Sequence, residues 1–191
     1  MPSKLLRFKS DYYYGSHGGK SDTVGALALY YALAQLTPNR VAVVIGSGTG
    51  LVPRVLRRSQ VDFKKTDSRV ILIDANEEAF PEGGVPSWVG TKMEGIEQFI
   101  ARSDEAIAHF GDQTIDYLHI DGDHRFETVM SDVELYLPKV CQEGIITLHD
   151  TANPNPYCGV DLALQIIRTW DSVDVLDLPT VGVGTAVLRV R

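Results

Sequence analysis

The chain has few cysteines, no excess of positive charge and no long apolar run, and each shortage excludes a class of protein. Only two cysteines occur, Cys141 and Cys158, without C-x-x-C spacing, so neither a disulfide framework nor a cysteine-based zinc site is indicated. A formal net charge of −7 argues against a surface for nucleic acids or anionic membranes. No stretch is apolar enough to span a bilayer, and the N-terminus is too polar for a signal peptide. The sequence thus predicts a cytoplasmic protein with no nucleic-acid or membrane partner.

Two nucleotide-binding motifs are also missing. The segment YYYGSHGGKS (12–21) ends in Gly-Lys-Ser, but a phosphate-binding loop would require glycine at Tyr14. The segment is therefore interpreted as a glycine-rich approach to a helix. No Tyr-x-x-x-Lys occurs, which excludes the short-chain dehydrogenase pattern.

Short apolar runs that end at glycine, aspartate or histidine alternate with helix-like segments. Unbroken β-rich runs of this kind are typical of parallel strands buried on both faces, here 41–45, 70–73, 115–120 and 145–148. Helices are predicted over 23–36, 52–60, 95–110, 126–140 and 160–170. The pattern predicts an α/β fold with a doubly wound, mostly parallel sheet. A single domain is expected over 1–191, with an N-terminal segment or lid over 1–22 and the α/β core over 23–191.

Two stretches depart from this alternation. The runs 173–179 and 185–190 are joined by a connection too short for a crossover helix, so they predict a C-terminal antiparallel hairpin. Residues 77–92 lack a clear period, and we expect a long loop there with a weak strand at 88–90.

Ligands of open α/β sheets bind beyond the carboxyl ends of the strands, so residues at those ends are the candidate site. The first group is IGSGTG, in which Gly46, Gly48 and Gly50 let the backbone pass close to a ligand. Dinucleotide dehydrogenases need a third glycine at the position of Leu51, whereas G-x-G-x-G suits a ligand with an amino-acid tail and a nucleoside. Asp74, after the next run, would accept both ribose hydroxyls; otherwise it caps a helix.

The densest polar stretches are HIDGDH (119–124) and LHDT (148–151). Together with VVIGSGTGLVPRVL (43–56) they resemble the class I S-adenosylmethionine-dependent methyltransferases. Within that family the chain looks most like the small bacterial branch that includes the macrolide-sugar (macrocin-type) O-methyltransferases. The resemblance covers most of 15–190 and implies methyl transfer from S-adenosylmethionine to a hydroxyl of a small-molecule acceptor.

The resemblance also implies a set of cofactor-binding residues. They are Gly46, Ser47, Gly48 and Gly50 under the methionine part, Asp74 at the ribose, Thr91 and Met93 near the adenine, and Asp121 beside them. The family usually has an acid two residues before the first glycine, where this chain has Val44. The segment before the first helix would lie over the cofactor as a lid that contributes Tyr14, His17 or Lys20.

A metal site is implied by two carboxylates at neighbouring strand ends. Asp121 and Asp150 match metal ligands of the catechol-type and macrolide-sugar enzymes, and such hard oxygen ligands suit Mg²⁺. His149 or Thr151 would supply or orient a third contact, and Asp123 is a further candidate. The alternative is that these acids form a turn and cap a helix.

The candidate catalytic residues are His124 and His149. His124 lies three residues after Asp121, where the catechol-type enzymes place a lysine, and a histidine pKa of about 6.5 suits a general base. His119, within a strand, is predicted to be packed and hydrogen-bonded, and His109 to lie on the surface.

Two alternatives stay open at this point. One is an NAD(P)-binding Rossmann oxidoreductase, and the other is a non-catalytic, cofactor-binding member of the methyltransferase fold, to which Val44 gives weight. The acceptor is not identified by the sequence. Its pocket would be built from the N-terminal segment and the loops 77–92 and 151–160, or be completed by a neighbouring subunit of a homo-oligomer.

Overall fold

A single sheet organises the part of the chain that the computed structural model describes, residues 22–46, 50–75, 95–181 and 183–191. These residues form seven strands in the order β3-β2-β1-β4-β5-β7-β6. The strands are β1 Val41–Ile45, β2 Arg69–Asp74, β3 Ile96–Ile100, β4 Ile115–Ile120, β5 Val140–His149, β6 Val173–Leu178 and β7 Thr185–Val190. The helices are α1 Asp22–Ala34, α2 Leu51–Asp62, α3 Ser103–Ala106, α4 Phe126–Tyr136 and α5 Val160–Ile167, with single 3₁₀ turns at Ile107–His109 and Leu137–Lys139.

The direction of the strands divides the sheet into two parts. Strands β1 to β5 pair in parallel, whereas β7 pairs antiparallel with both β5 and β6. The C-terminal strands thus form the predicted antiparallel hairpin, and its second strand is the one that joins the parallel part. The α/β fold with a mostly parallel sheet is confirmed.

The two faces of the sheet are covered by different helices, which explains why its central strands are continuously apolar. In β1, Val43 and Ile45 pack into a cluster with residues of α4 and α5, while Ala42 and Val44 face a second cluster with α1 and α2. Every residue of β4 is buried. Such two-sided burial requires apolar side chains at successive positions rather than alternation.

The prediction of a helix over 95–110 is wrong for its first part, which forms the edge strand β3. Its apolar residues Ile96, Phe99 and Ile100 have the i, i+3, i+4 spacing of a helix, but they pair with β2, and Ile100 is half exposed. An edge strand is buried less than a central one, so its sequence lacks the continuous apolar run. The predicted strand at 88–90, the loop 77–92 and the segment 1–21 lie outside the described residues.

Helix α4 is attached to the start of α3 through a buried acid. Asp132 accepts a hydrogen bond from the Ser103 hydroxyl at 2.5 Å, and the Tyr136 hydroxyl donates to the Ser103 carbonyl at 2.9 Å. Burial raises the pKa of Asp132 to about 6, helped by the negative charges of Asp104 and Asp123. The Ser103 hydrogen bond and the charge of Arg102 offset this rise only in part. Within the described parts of the chain, no helix combines the length and apolar character that a membrane crossing needs.

Candidate active site

The carboxyl ends of four adjacent strands lie level with one another. Ile45 of β1 pairs with Ile73 of β2 and Ile120 of β4, and Ile120 pairs with Leu148 of β5. The residues that follow these pairs are Gly46, Asp74, Asp121 and His149. The predicted convergence of these residues on one edge of the sheet is therefore present, and we call this edge the carboxyl edge.

Gly46 occupies a position that admits no side chain. Its φ of 80° lies in the left-handed region, and a Cβ there would be 2.2 Å from the backbone oxygen of Asp121. Its N–H donates to the Ile73 carbonyl at 2.9 Å, which holds the end of β1 against β2. The chain therefore turns away from the sheet directly beside Asp121.

The described residues include part of the predicted cofactor site. Gly50, with a φ of 70°, caps the start of α2, and Asp74 is half buried at the end of β2. Asp121 follows β4. Ser47, Gly48, Thr91 and Met93 lie outside the described residues, so their contribution stays a prediction.

Two carboxylates and two imidazoles form the centre of the site, and we call Asp121, His124, His149 and Asp150 the acid–imidazole cluster. Nε2 of His124 lies 3.3 Å from Oδ1 of Asp121 and 3.0 Å from Oδ2 of Asp150. Nδ1 of His149 lies 3.1 Å and 3.5 Å from the same two oxygens. Each imidazole thus contacts both carboxylates, so the two predicted catalytic histidines and two of the predicted metal ligands, Asp121 and Asp150, meet in one place.

The charges of the cluster stabilise one another. Burial alone would raise the pKa of Asp121, but the charge of His149 and the hydrogen bonds from both imidazoles outweigh it and hold that pKa well below its usual range. The pKa of Asp150 is lowered for the same reason, chiefly by His149. Burial opposes protonation of His149, yet the two carboxylates raise its pKa to about 10. The hydrogen bond to Asp121 raises the pKa of His124.

His119 lies directly beneath the cluster, and its surroundings were only partly predicted. Its Nδ1 is 2.8 Å from the Thr147 hydroxyl, and its ring packs against Tyr30 at 4.7 Å between centroids. The other nitrogen, Nε2, is buried without a hydrogen-bond partner among the described residues and lies 4.0 Å from Oδ2 of Asp121. Burial lowers the pKa of His119 to about 4, so this imidazole is neutral. His109, by contrast, is exposed as predicted.

Thr147 determines how the His119 ring is oriented, and spacing along the chain could not identify this pair. The Thr147 hydroxyl donates to the Leu118 carbonyl at 3.4 Å and lies 2.8 Å from Nδ1 of His119, so it holds that side of the ring in place. The two residues are register partners on β4 and β5. The only hint in the sequence was that His119 and Thr147 are each a polar residue inside a mainly apolar run.

Two of the other predicted ligands point elsewhere. Asp123 accepts hydrogen bonds from the backbone N–H of Arg125 at 3.0 Å and from the Thr128 hydroxyl at 3.1 Å, so it stabilises the start of α4 instead of joining the cluster. The Thr151 hydroxyl donates to Asp177 at 3.3 Å. A metal contact by Thr151 therefore stays a prediction.

Asp150 is held in an uncommon backbone conformation. Its φ is 64°, which is rare for a residue other than glycine, and its Oδ1 accepts a hydrogen bond from the Asn153 amide at 2.9 Å. Only 4% of the Asp150 side chain is exposed, against 33% for His124. The cluster thus has a fixed inner side, formed by Asp150, and an accessible outer side at His124.

Solved structures share this fold at low sequence identity. An O-methyltransferase from Bacillus cereus in complex with S-adenosylhomocysteine is 17% identical, with a TM-score of 0.71 over 98% of this chain and 89% of that chain. TomG from Streptomyces achromogenes, an O-methyltransferase of tomaymycin synthesis in complex with S-adenosylmethionine, is 17% identical, with a TM-score of 0.67 over 87% and 80%. The S-adenosylhomocysteine-bound methyltransferase PaMTH1 from Podospora anserina is 14% identical, with a TM-score of 0.64 over 100% and 89%.

Sequence comparison adds the family to the fold. The uncharacterized protein y4gI of Sinorhizobium fredii is 36% identical over 47 residues, which are 25% of this chain and 5% of that protein. The match thus spans about a twentieth of the length of that curated relative. The family described as Methyltransferase domain matches residues 43–151, more than half of the chain, from β1 through the acid–imidazole cluster. The chain therefore belongs to the Methyltransferase domain family, in agreement with its resemblance to class I methyltransferases.

Proposed function

We propose that the protein is an S-adenosylmethionine-dependent methyltransferase that methylates a hydroxyl of a small-molecule acceptor with the help of a divalent metal. The observation that carries this proposal is the carboxyl edge, where Gly46, Asp74 and the acid–imidazole cluster come together. Membership of a methyltransferase family supports it. So do fold neighbours that hold S-adenosylmethionine or S-adenosylhomocysteine.

The cofactor would lie across the ends of β1 and β2. Gly46 brings backbone without a side chain to this point, and the half-buried carboxylate of Asp74 would accept both hydroxyls of a ribose. Val44 of β1 is fully buried on the face of the sheet that α1 and α2 cover, and a valine supplies no carboxylate to the methionine end. Recognition of that end then depends on the backbone of 46–50.

The cluster has the donor chemistry for a divalent cation. One ligand atom each from Asp121, His124 and Asp150 can be chosen so that all three lie within 4.8 Å of one another. When bound there, a divalent cation would make an acceptor hydroxyl easier to deprotonate. Mg²⁺ is the cation that the sequence predicts. The site also offers imidazole nitrogens, which Mg²⁺ binds less readily than carboxylate oxygens.

His124 is the proposed general base because it is the accessible member of the cluster. Its Nε2 would take the proton of the acceptor hydroxyl, the oxygen would form a bond to the methyl carbon, and the carbon–sulfur bond would break. The products are a methyl ether, S-adenosylhomocysteine and a proton on His124. Because Asp121 and Asp150 raise the pKa of His124, it serves as a base only when another positive group compensates those carboxylates.

Calorimetry with S-adenosylhomocysteine and, separately, NADPH tests the cofactor. We expect binding of S-adenosylhomocysteine alone, and Asp74→Ala should weaken it about 10- to 100-fold through loss of charge-assisted hydrogen bonds. Asp161→Ala, on the exposed side of α5, is the matched control and should bind normally. Heat with NADPH but none with S-adenosylhomocysteine would overturn the proposal in favour of an oxidoreductase.

Methyl transfer across a panel of sugar, phenol and polyketide hydroxyls, with and without EDTA, tests the reaction. Turnover of at least one acceptor that EDTA abolishes is expected. Cofactor binding without turnover on any acceptor would instead support a non-catalytic member of the fold.

A further inference from the structure

The predicted Mg²⁺ and the observed donor set do not match well. Mg²⁺ prefers oxygen ligands and is commonly bound by one or two carboxylates with several waters, whereas imidazole nitrogen suits first-row transition metals. At the carboxyl edge, Nε2 of His124 and Nδ1 of His149 each lie within 3.5 Å of both carboxylates. A cation bound between Asp121 and Asp150 would therefore meet nitrogen on both sides.

The four imidazole–carboxylate distances in the cluster are compatible with the ligands of one transition-metal ion. Metal–ligand bonds of about 2.0–2.2 Å place neighbouring ligand atoms about 2.8–3.6 Å apart in octahedral to tetrahedral geometry. Nε2 of His124 lies 3.3 Å from Oδ1 of Asp121 and 3.0 Å from Oδ2 of Asp150. Nδ1 of His149 lies 3.1 Å and 3.5 Å from those atoms. All four distances fall in that range.

An independent observation points to a missing ligand beside Asp121. Nε2 of His119 is fully buried, has no partner among the described residues and lies 4.0 Å from the second carboxylate oxygen, Oδ2. Its orientation is fixed, because Nδ1 is occupied by Thr147 and the ring packs on Tyr30. A buried polar nitrogen without a partner is costly, and a cation on the carboxylate would provide one.

We propose that the acid–imidazole cluster selects a first-row transition metal, of the Zn²⁺ or Co²⁺ kind, over Mg²⁺, with His124 and His149 as nitrogen ligands beside Asp121 and Asp150. The inference rests on the proposed function for the purpose of the metal, and it replaces one part of it: with Nε2 of His124 on the metal, the proton of the acceptor hydroxyl would leave to solvent instead of passing to His124. Its test, however, measures metal binding and not turnover.

The experiment uses the protein without a histidine tag, stripped with EDTA and dialysed. Co²⁺ is titrated while visible ligand-field absorption is recorded, and Zn²⁺ and Mg²⁺ are titrated by calorimetry. We expect one Co²⁺ per chain, a visible band that reports nitrogen ligation, and affinities for Co²⁺ and Zn²⁺ at least about 100-fold above that for Mg²⁺. A large excess of Mg²⁺ should leave the Co²⁺ band unchanged.

Variants identify the ligands. His124→Ala and His149→Ala should each weaken Co²⁺ binding by about tenfold or more while leaving the weak Mg²⁺ affinity unchanged, and Asp121→Asn should weaken both. His109→Ala, an exposed histidine at the end of a 3₁₀ turn, is the control and should bind like the wild type. Near-UV circular dichroism confirms that each variant is folded.

Three outcomes would overturn the inference: equal affinity for Mg²⁺ and Co²⁺, no metal binding at all, or Co²⁺ binding unaffected in both histidine variants. Calorimetry with S-adenosylhomocysteine on the metal-free protein reports the cofactor site separately. If S-adenosylhomocysteine binds normally and one of these outcomes occurs, only the metal selection is rejected. If S-adenosylhomocysteine does not bind, the proposed function is rejected.

Discussion

Strand β4 has an aspartate near each end, and the two carboxylates have different partners. Asp116, near the amino end, is buried and accepts the backbone N–H groups of Arg40 at 2.7 Å and Val41 at 3.0 Å. Asp121, at the carboxyl end, is surrounded by the imidazoles of three histidines. The first acid fixes where β1 begins, and the second belongs to the candidate active site.

The difference lies in whether the partners can be exchanged. Backbone N–H groups at a strand start cannot move without unfolding the strand, so the bonds of Asp116 are permanent. Imidazoles can release a carboxylate to a cation or a substrate by losing a proton or changing rotamer. A buried acid with side-chain partners is therefore a better indication of function than a buried acid with backbone partners.

The largest expected effect is on activity, from Asp121→Asn. Loss of the carboxylate removes a negative charge from the imidazoles and from the proposed metal site, and we expect the rate of methyl transfer to fall about 10³-fold while the protein stays folded. Single-turnover assays measure the rate, and urea unfolding measures the stability. A variant with a lower free energy of unfolding but unchanged specific activity would instead give Asp121 a structural role like that of Asp116.

Gly46→Ala tests the close approach of β1 to Asp121. The added Cβ would lie 2.2 Å from the Asp121 oxygen at a φ of 80°, so we expect a loss of about 3 kcal/mol in the free energy of unfolding, together with weaker cofactor binding. Gly25→Ala in α1 is the control, because its Cβ meets nothing within 4 Å. Equal stability of the two variants in urea would contradict the assigned contact.

Asp116→Ala should do the opposite of Asp121→Asn. Two buried N–H groups at the start of β1 would lose their acceptor, which should lower the free energy of unfolding by about 2 kcal/mol. The activity of the remaining folded protein should be unchanged, because the residue lies at the far edge of the sheet. Denaturant unfolding measures the free energy of unfolding, and assays at low temperature measure the activity. A variant of normal stability with no activity would contradict the assignment of Asp116 to structure and Asp121 to the active site.

The smallest effect is expected from Asp132→Asn, which changes another buried carboxylate, one that forms no ion pair within the described part of the chain. Because the pKa of Asp132 in the folded protein is raised to about 6, its ionised form destabilises the fold. The penalty is absent below about pH 4, where the acid is protonated in both states, and complete above about pH 6. We expect Asn to raise the free energy of unfolding by about 1 kcal/mol at pH 7.5 and by nothing near pH 4. A gain that did not depend on pH would show that charge is not the cause.

The central sheet could be predicted because its strands are buried on both faces and end abruptly. The bounds of β1 and β4 match the predicted runs 41–45 and 115–120. Each run stops where an acid or glycine must leave the apolar interior, and this property also placed Asp74, Gly46 and Asp121 on one edge. The abrupt ends of the apolar runs thus predicted both the buried strands and the position of the candidate site residues.

The remaining features depend on contacts between distant parts of the chain. The apolar residues of β3 have the spacing of a helix, which predicts a helix, and only pairing with β2 makes this segment a strand. Asp121 and Asp123 are equivalent candidates in sequence, but the turn into α4 directs Asp123 to Arg125. The contact between His119 and Thr147 joins two strands, and no local pattern encodes it or the lack of a partner for Nε2 of His119 among the described residues.

The position of β7 between β5 and β6 has a consequence for synthesis on the ribosome. One side of β5, the strand that leads into Asp150, has its neighbour only when residues 185–190 have emerged. A nascent polypeptide arrested before that point would present an open sheet border, to which other chains can add. Completion of the sheet beside the acid–imidazole cluster therefore requires residues 185–190, and their removal should yield aggregates.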